Sequence, residues 1–406
     1  MKKFGLLGRS LSHSRSPELH QLLGSVPYAL YEVEPEELAH FLRTTDLTGL
    51  NVTIPYKKAV LPYCAALSDT AKQTGSVNTL LRRDNGWYGD NTDHYGFSRM
   101  VDTLGVSVSG KKALILGSGG AAGTVKAVLN AMGVRDAVVI SRTGENNYTN
   151  LGRHRDAQIL VNATPVGMYP KNGEVLVSLG DFPCCEAVLD LIYHPLRSAL
   201  LLDAKARAIP CANGLTMLAA QAFRSAELFL EESKDEAVID ALVHTLRRKM
   251  ENVVLIGMPG CGKTAVGRRL AAQMGREFAD SDEVFQARFG ITPEAFLTAY
   301  GEASFRAKET EVLSELGKRT GLVIATGGGC VTIAENLSHL RQNGKLVWLR
   351  REVTSLPVEG RPLSRASSPE ALYALREPLY RAAADCITEN SGSVEEAAAQ
   401  IKEMFL

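Results

Sequence analysis

Three things are scarce in this chain of 406 residues. It has no net charge: 45 lysines and arginines balance 45 aspartates and glutamates. No sequence-wide basic field therefore recruits nucleic acid, and no basic amphipathic stretch suggests a membrane surface. It has no long apolar run. The opening Phe4-Gly5-Leu6-Leu7-Gly8 is too short for the core of a signal peptide and reads as a first strand, and no later run reaches the length of a bilayer span. Its seven cysteines are scattered, with one adjacent pair (Cys184, Cys185) and no C-x-x-C. Neither a zinc site nor a disulfide framework is implied, and reduced thiols fit a cytoplasmic protein. Internal repeats and low-complexity tracts are also missing, and no obligatory protein partner is evident.

What is present is an α/β pattern with two nucleotide loops. At this length two or three domains are expected, and short apolar strands alternate with helix-length amphipathic segments throughout. Lys112-Ala113-Leu114-Ile115-Leu116 leads into Gly117-Ser118-Gly119-Gly120-Ala121-Ala122. Val253-Val254-Leu255-Ile256 leads into Gly257-Met258-Pro259-Gly260-Cys261-Gly262-Lys263-Thr264. The first spacing fits a dinucleotide pyrophosphate, the second the phosphates of a nucleoside triphosphate. The first loop opens a predicted helix over 121–132, whose N-terminus adds positive potential, and a second strand is predicted over 137–140. That strand ends in Ser141-Arg142-Thr143, where an NAD enzyme carries an acidic residue. A cation there pairs with a 2′-phosphate, which points to NADP; a solvated turn arginine is the bland alternative. A last helix of this half is predicted over 237–249, with the boundary near Met250 and almost no linker.

Upstream of the first loop lie four polar clusters that do not read as core. They are Ser12-His13-Ser14-Arg15-Ser16-Pro17, Asn51-Val52-Thr53-Ile54-Pro55-Tyr56-Lys57, Ser76-Val77-Asn78-Thr79 and Gly89-Asp90-Asn91-Thr92-Asp93. Ser16 before Pro17 signals a helix start, with the Ser14 and Ser16 hydroxyls beside it as a cradle for a carboxylate. Singly, each cluster could be a cap or an Asx turn. In this order they are followed by Asn162-Ala163-Thr164-Pro165-Val166-Gly167-Met168, Asp190-Leu191-Ile192-Tyr193 and Asn213-Gly214-Leu215-Thr216-Met217-Leu218, ending at Gln221. Together the motifs resemble the shikimate dehydrogenase family, from residue 1 to about 249.

That resemblance implies reduction of 3-dehydroshikimate to shikimate by NADPH. It carries the catalytic pair onto Lys57 and Asp93: a hydride arriving at the carbonyl carbon leaves an alkoxide, which a lysine ammonium can protonate. Lys58, next door, reads as a solvated charge. Ser14, Ser16, Thr53, Asn78 and Gln221 match positions that hold the carboxylate and ring hydroxyls. Gly117, Gly119, Gly120, Ala121, Ser141, Arg142, Thr143, Thr164, Tyr193 and Gly214 fall on the cofactor side. Two departures stand out. His94 follows Asp93 where the family usually has glycine, and Gly144-Glu145-Asn146-Asn147 follows where a second basic residue is common.

In the second half, Lys263 is placed to reach the β- and γ-phosphates and the Thr264 hydroxyl to ligate Mg²⁺, with Gly260 and Gly262 shaping the loop. Later segments are Asp280-Ser281-Asp282, Gly301-Glu302-Ala303-Ser304-Phe305-Arg306 with Glu309 at a helix start, and Thr326-Gly327-Gly328-Gly329 after a strand over 322–325. Arg361-Pro362-Leu363 and Arg376-Glu377-Pro378-Leu379-Tyr380-Arg381 come last. As an ordered set these resemble shikimate kinase, from about residue 251 onward. By that resemblance Asp282 orients the acceptor hydroxyls, Arg306 and Arg376 clamp the shikimate carboxylate, and Gly327, Gly328 and Gly329 let the backbone close on the ring. Asp280 holds Mg²⁺, and Arg361 stabilises the transferring phosphoryl from a lid. The segment 350–360 after a predicted strand over 345–349 is short, and the arginine the family often stacks on adenine has no match there. Cys261 reads as a small filler or an oxidisable thiol.

The expectation is a two-lobed dehydrogenase with a Rossmann NADP lobe, fused to a P-loop kinase domain with a parallel sheet and a lid. Residues 1–100 with 215–249 form the shikimate-binding lobe, 101–214 the NADP lobe, and 250–406 the kinase domain. The partners expected are small molecules, 3-dehydroshikimate and shikimate, with NADP(H), ATP and Mg²⁺ and with neither nucleic acid nor membrane. The competing readings are a quinate- or shikimate-sensing regulator, and an NAD-dependent quinate dehydrogenase with an inactive kinase-like domain.

Overall fold

Each glycine loop follows a strand buried along its whole length, as strands covered on both faces require. In the computed structural model, which describes residues 2–12, 14–356 and 368–405, the chain divides into two units. One comprises Met1–Tyr193 and Asp203–Leu246; the other comprises His194–Leu202 and Arg247–Leu406.

The first unit opens with β1 (Phe4–Gly8), α1 (Ser16–Leu22), β2 (Tyr28–Glu32), α2 (Leu38–Thr44), β3 (Gly49–Val52), β4 (Cys64–Leu67), α3 (Asp69–Thr74), β5 (Thr79–Arg83), β6 (Gly86–Asp90) and α4 (Thr92–Asp102). Among the described residues these strands form a mixed sheet in the order β2-β1-β3-β5-β6-β4. β1 runs parallel to β2 and β3, while β5 is antiparallel to both β3 and β6. The predicted start at Ser16–Pro17 is met one residue early: Arg15 occupies the N-cap position, and the Ser14 hydroxyl accepts from the Ser16 N–H at 3.2 Å.

The chain continues through β7 (Lys112–Leu116), α5 (Gly120–Ala131), β8 (Asp136–Ile140), β9 (Ile159–Asn162), β10 (Ala187–Asp190), α6 (Ala199–Ala206), β11 (Cys211–Asn213), α7 (Leu215–Leu230) and α8 (Ala237–Met250). The strands pair in parallel in the order β11-β10-β9-β7-β8. Strand order reverses at β7, so its carboxyl end is the crevice where such sheets bind ligands. The Gly117 loop sits there. Returning from this lobe, α7 packs on α4 through Gly96, where an added Cβ would stand 2.7 Å from the Met217 carbonyl oxygen. That close approach brings Gln221 on α7 beside the first turn of α4.

The second unit holds β12 (Asn252–Ile256), α9 (Lys263–Met274), β13 (Phe278–Asp280), α10 (Ser281–Phe289), α11 (Pro293–Lys318), β14 (Val323–Ala325), α12 (Ala334–Asn343), β15 (Gly344–Arg350), α13 (Pro369–Ala383), β16 (Cys386–Glu389) and α14 (Val394–Glu403). Its sheet is all parallel, β13-β14-β12-β15-β16, with β12 at the switch point. Backbone at Gly301 is non-helical (φ 79°) and splits α11, so the helix carrying Arg306 and Glu309 restarts where the sequence suggests. His194–Leu202 belongs to this unit. Its Arg197 donates to the carbonyls of Arg341 (2.9 Å) and Gly344 (3.1 Å) and pairs with Glu251.

Candidate active sites

The first unit encloses a cleft of about 830 Å³. Ser14, Ser16, Thr53, Lys57, Asn78, Asp93 and Gln221 all line it, as do Ala121, Tyr193 and Gly214. The expected catalytic pair is formed: Lys57 Nζ lies 2.6 Å from Asp93 Oδ2, with the lysine 22% and the aspartate 10% exposed. Lys57 sits on the turn after β3, its carbonyl accepting from the Val77 N–H at 2.7 Å. Asp93 stands in the first turn of α4, so the pair joins two elements that Asn78 also ties together. Asn78 accepts from the Thr92 N–H at 2.7 Å and donates to the Thr92 hydroxyl at 3.0 Å.

Behind these residues runs a buried neutral network. Asn51 accepts from the Tyr28 hydroxyl (2.9 Å) and donates to Thr79 (3.2 Å) and Ser225 (2.8 Å), and the Ser225 hydroxyl lies 2.9 Å from that of Thr92. Every member faces a partner, which is what a buried polar cluster needs to rigidify its surroundings. Asn51 itself lines the cleft; it lay in a quoted motif without being assigned a role, and Ser225 carried no sequence signal. Asp93 lines the cleft, whereas His94 is not among the lining residues. Burial holds the His94 imidazole below its usual pKa, with Asp90 opposing, and its buried Nε2 has no partner among the described residues.

On the cofactor side, Gly117 (φ 101°) is required twice over: its conformation is left-handed, and a Cβ would stand 2.5 Å from Thr164 Cγ2. Gly119 precedes α5 as its N-cap, and Cβ atoms at Gly119 and Gly120 would meet open space, leaving the helix N-terminus accessible to a pyrophosphate. Ser141, Arg142 and Thr143 follow β8, and the Gly117 N–H donates to the Ile140 carbonyl at 2.8 Å, which sets this turn beside the glycine loop. Burial pushes the Tyr193 phenol up, with Arg15 opposing. The residues present thus suit a dinucleotide with a 2′-phosphate.

In the second unit Gly257, Gly260 and Gly262 all take positive φ (144°, 82° and 100°), winding the loop so that the Lys263 ammonium donates to the Gly257 and Met258 carbonyls, each at 2.9 Å. Thr264 donates its hydroxyl to Asp280 at 2.7 Å, and the other oxygen of Asp280 caps α10 by accepting from the Asp282 N–H at 2.9 Å. Among the described residues no cluster of three His, Cys, Asp or Glu could cage a metal. One hydroxyl and one carboxylate beside a phosphate loop are nevertheless the donor set that suits Mg²⁺, which takes its other ligands from phosphates and water. Cys261 is fully buried, which fits the filler reading, although its Sγ accepts from Lys263 Nζ at 3.8 Å.

The acceptor side sets Asp282 beside a buried cluster of Arg306, Glu309 and Arg376. Asp282 keeps solvent contact, yet desolvation by the surrounding groups and then Asp280 push its carboxyl up, with Lys263, Ser281 and Arg306 opposing. Arg306 and Glu309 pair at 2.7 Å and are 10% and 5% exposed. Arg376 is also buried, and Nε of both arginines is buried without a partner among the described residues. Two buried guanidinium groups with orphaned donors are the arrangement an anionic ligand completes. The glycines after β14 leave room only for their neighbours: a Cβ at Gly327 would stand 2.7 Å from Glu309 Oε1, one at Gly328 2.6 Å from Pro259 Cδ, and one at Gly329 would collide with the Arg306 guanidinium. Glu309 and Asn390, whose amide donates to the Cys261 carbonyl at 2.7 Å, are the site-supporting residues that the sequence left without a role. The expected Arg361 lies among residues 357–367, which are outside the described residues.

Comparison with known proteins identifies two families in this chain. The family model for the shikimate dehydrogenase substrate binding domain matches residues 6–80, and that for shikimate kinase matches residues 259–405. A shikimate dehydrogenase (NADP(+)) of Clostridium beijerinckii is 33% identical over 261 residues, 60% of this chain and 97% of that protein. One from Oleidesulfovibrio alaskensis is 38% identical over 241 residues, 54% of this chain and 86% of that protein. The crystal structure of a chorismate mutase/shikimate 5-dehydrogenase fusion protein from Clostridium acetobutylicum superposes with a TM-score of 0.58 at 35% identity, covering 61% of this chain and 97% of that one. The enzyme from Thermus thermophilus, solved with NADP(H) and shikimate, gives 0.54 at 30% identity, covering 60% and 99%. The chain belongs to the shikimate dehydrogenase family through its N-terminal three-fifths and carries a shikimate kinase domain after it.

Proposed function

We propose that this chain catalyses two consecutive steps: NADPH-dependent reduction of 3-dehydroshikimate to shikimate, then ATP-dependent phosphorylation of shikimate to shikimate 3-phosphate. The observation that carries the reading is that each unit keeps its reacting groups in place, and that the product of one is the substrate of the other. Lys57 and Asp93 are paired in the first cleft; Lys263, Thr264, Asp280 and Asp282 converge at the phosphate loop of the second.

In the first site, bound NADPH supplies the hydride. The 3-dehydroshikimate carbonyl oxygen then carries developing negative charge, which the Lys57 ammonium stabilises and finally protonates. Asp93 holds that ammonium in place. Ser14 and Ser16 hold the carboxylate, and Thr53, Asn78 and Gln221 the ring hydroxyls. In the second site Asp282 orients the attacking hydroxyl and accepts its proton, while Arg306 and Arg376 fix the carboxylate. Lys263 neutralises the β- and γ-phosphates, and Thr264 and Asp280 hold Mg²⁺. Arg361 acts from the lid.

The domain limits we propose are 1–100 with 215–249, 101–214 and 250–406, with His194–Leu202 packing in the second unit although it lies within 101–214, and the location we propose is the cytoplasm, where NADPH and ATP meet unpaired thiols. No helix among the described residues is long and apolar enough to cross a membrane. The test is product analysis by mass spectrometry after incubation with 3-dehydroshikimate, NADPH, ATP and Mg²⁺. Shikimate 3-phosphate is the expected product. Shikimate alone removes the kinase assignment, and no conversion removes both. Faster turnover of quinate with NAD than of shikimate with NADP would favour the competing dehydrogenase.

A further inference from the structure

We propose that Arg15 is a specificity-determining residue of the first cleft, its guanidinium recognising the substrate carboxylate. The inference rests on the reductase reading above and starts from the charges around the cleft. Among the described residues the lining carries three cations, Arg9, Arg15 and Lys57, and one anion, Asp93. Lys57 and Asp93 cancel each other at 2.6 Å. Arg9 pairs with Glu34 at 3.0 Å with both side chains more than half exposed, 61% and 55%, so solvent and salt screen it.

Arg15 differs. Its side chain is 30% exposed, and Glu18, at 28%, meets its Nη1 from the first turn of α1 at 3.2 Å. Its field reaches the phenol of Tyr193, which lines the same cleft. In sequence it stands between Ser14 and Ser16, the two hydroxyls expected to cradle the carboxylate. Hydroxyls are neutral donors and cannot alone offset a full negative charge leaving water. A guanidinium adds charge and a planar fork of N–H donors, which a carboxylate accepts in pairs. Glu18 competes for that fork and so sets how strongly it holds the ligand.

Steady-state kinetics on the full chain test the assignment, with 3-dehydroshikimate and NADPH varied in turn. Arg15→Gln is expected to raise KM for 3-dehydroshikimate about tenfold, with kcat within about twofold and KM for NADPH unchanged. Arg15→Lys, which keeps the charge and loses the fork, falls between. Glu18→Gln lowers KM for 3-dehydroshikimate by releasing the guanidinium. Added salt weakens wild-type affinity more than that of Arg15→Gln. An unchanged 3-dehydroshikimate KM in Arg15→Gln, or a rise confined to NADPH, overturns the assignment. A wild-type chain with no NADPH-dependent reduction would instead sink the reductase reading, and the role of Arg15 with it.

Discussion

At Lys57 and Asp93 one charged pair holds the turn after β3 to α4 and, in the mechanism proposed above, supplies the proton. Lys57→Ala is therefore expected to lower kcat of the reduction by about 10²–10⁴ while the kinase rate of the same preparation stays unchanged; parallel assays of NADPH oxidation and ATP consumption check this. In the second unit Glu309 is the counter-charge of Arg306, both buried. Glu309→Gln leaves the guanidinium less firmly held, and KM for shikimate in the kinase assay should rise about tenfold with the reduction untouched. Asp282 gives a pH signature. Desolvation within the site and then the neighbouring Asp280 hold its carboxyl above the ordinary 3.8, and the proposed mechanism needs it ionised. The acid limb of kcat/KM for shikimate should accordingly lie above the usual aspartate range, activity falling as pH drops through it. The stability term has the opposite sign. Between 3.8 and the raised value the native carboxyl keeps a proton that the unfolded chain has lost, so this group's contribution to stability declines as pH rises.

At the scale of elements, glycines decide how closely the site-bearing segments approach. Gly96 lets α7 lie against α4, which carries Gln221 to the cleft; Gly96→Ala has backbone in its way and should cost about 1–3 kcal/mol, read as a lower melting temperature and a raised KM for 3-dehydroshikimate. Gly329→Ala places a methyl on the Arg306 guanidinium and should depress shikimate phosphorylation without altering the reduction. Such positions are only half legible in sequence. The strand-loop-helix order around Gly117 and Gly257 could be read directly, because a glycine loop, its strand and its helix are contiguous and each is set by local backbone preferences. Thr326-Gly327-Gly328-Gly329 was equally visible as a motif, yet its steric partners, Glu309, Pro259 and Arg306, come from three other segments.

Over the whole molecule, the two units predict two unfolding transitions in calorimetry, NADP raising one and ATP with Mg²⁺ the other. Arg197 supplies a sharper check. It lies in the first half of the sequence but within the second unit, satisfying two carbonyls and Glu251, so Arg197→Ala should lower the ATP-responsive transition by about 2–4 kcal/mol of stability and leave the NADP-responsive one in place. A shift confined to the NADP-responsive transition would contradict the division. From the sequence alone came the two nucleotide loops with the strands and helices beside them, carried by residue type at fixed local spacing, and the Lys57–Asp93 pair, implied by the resemblance that the ordered motifs carry. Tertiary structure alone decided that Ser225 meets Asn51 and Thr92 across 174 and 133 residues, that Asn390 holds the Cys261 carbonyl, and that His194–Leu202 packs with the second unit. The reason is physical: a local turn is dictated by the conformations its own residues allow, whereas a buried polar partner is chosen by which distant segments the packing of the core brings within hydrogen-bond reach.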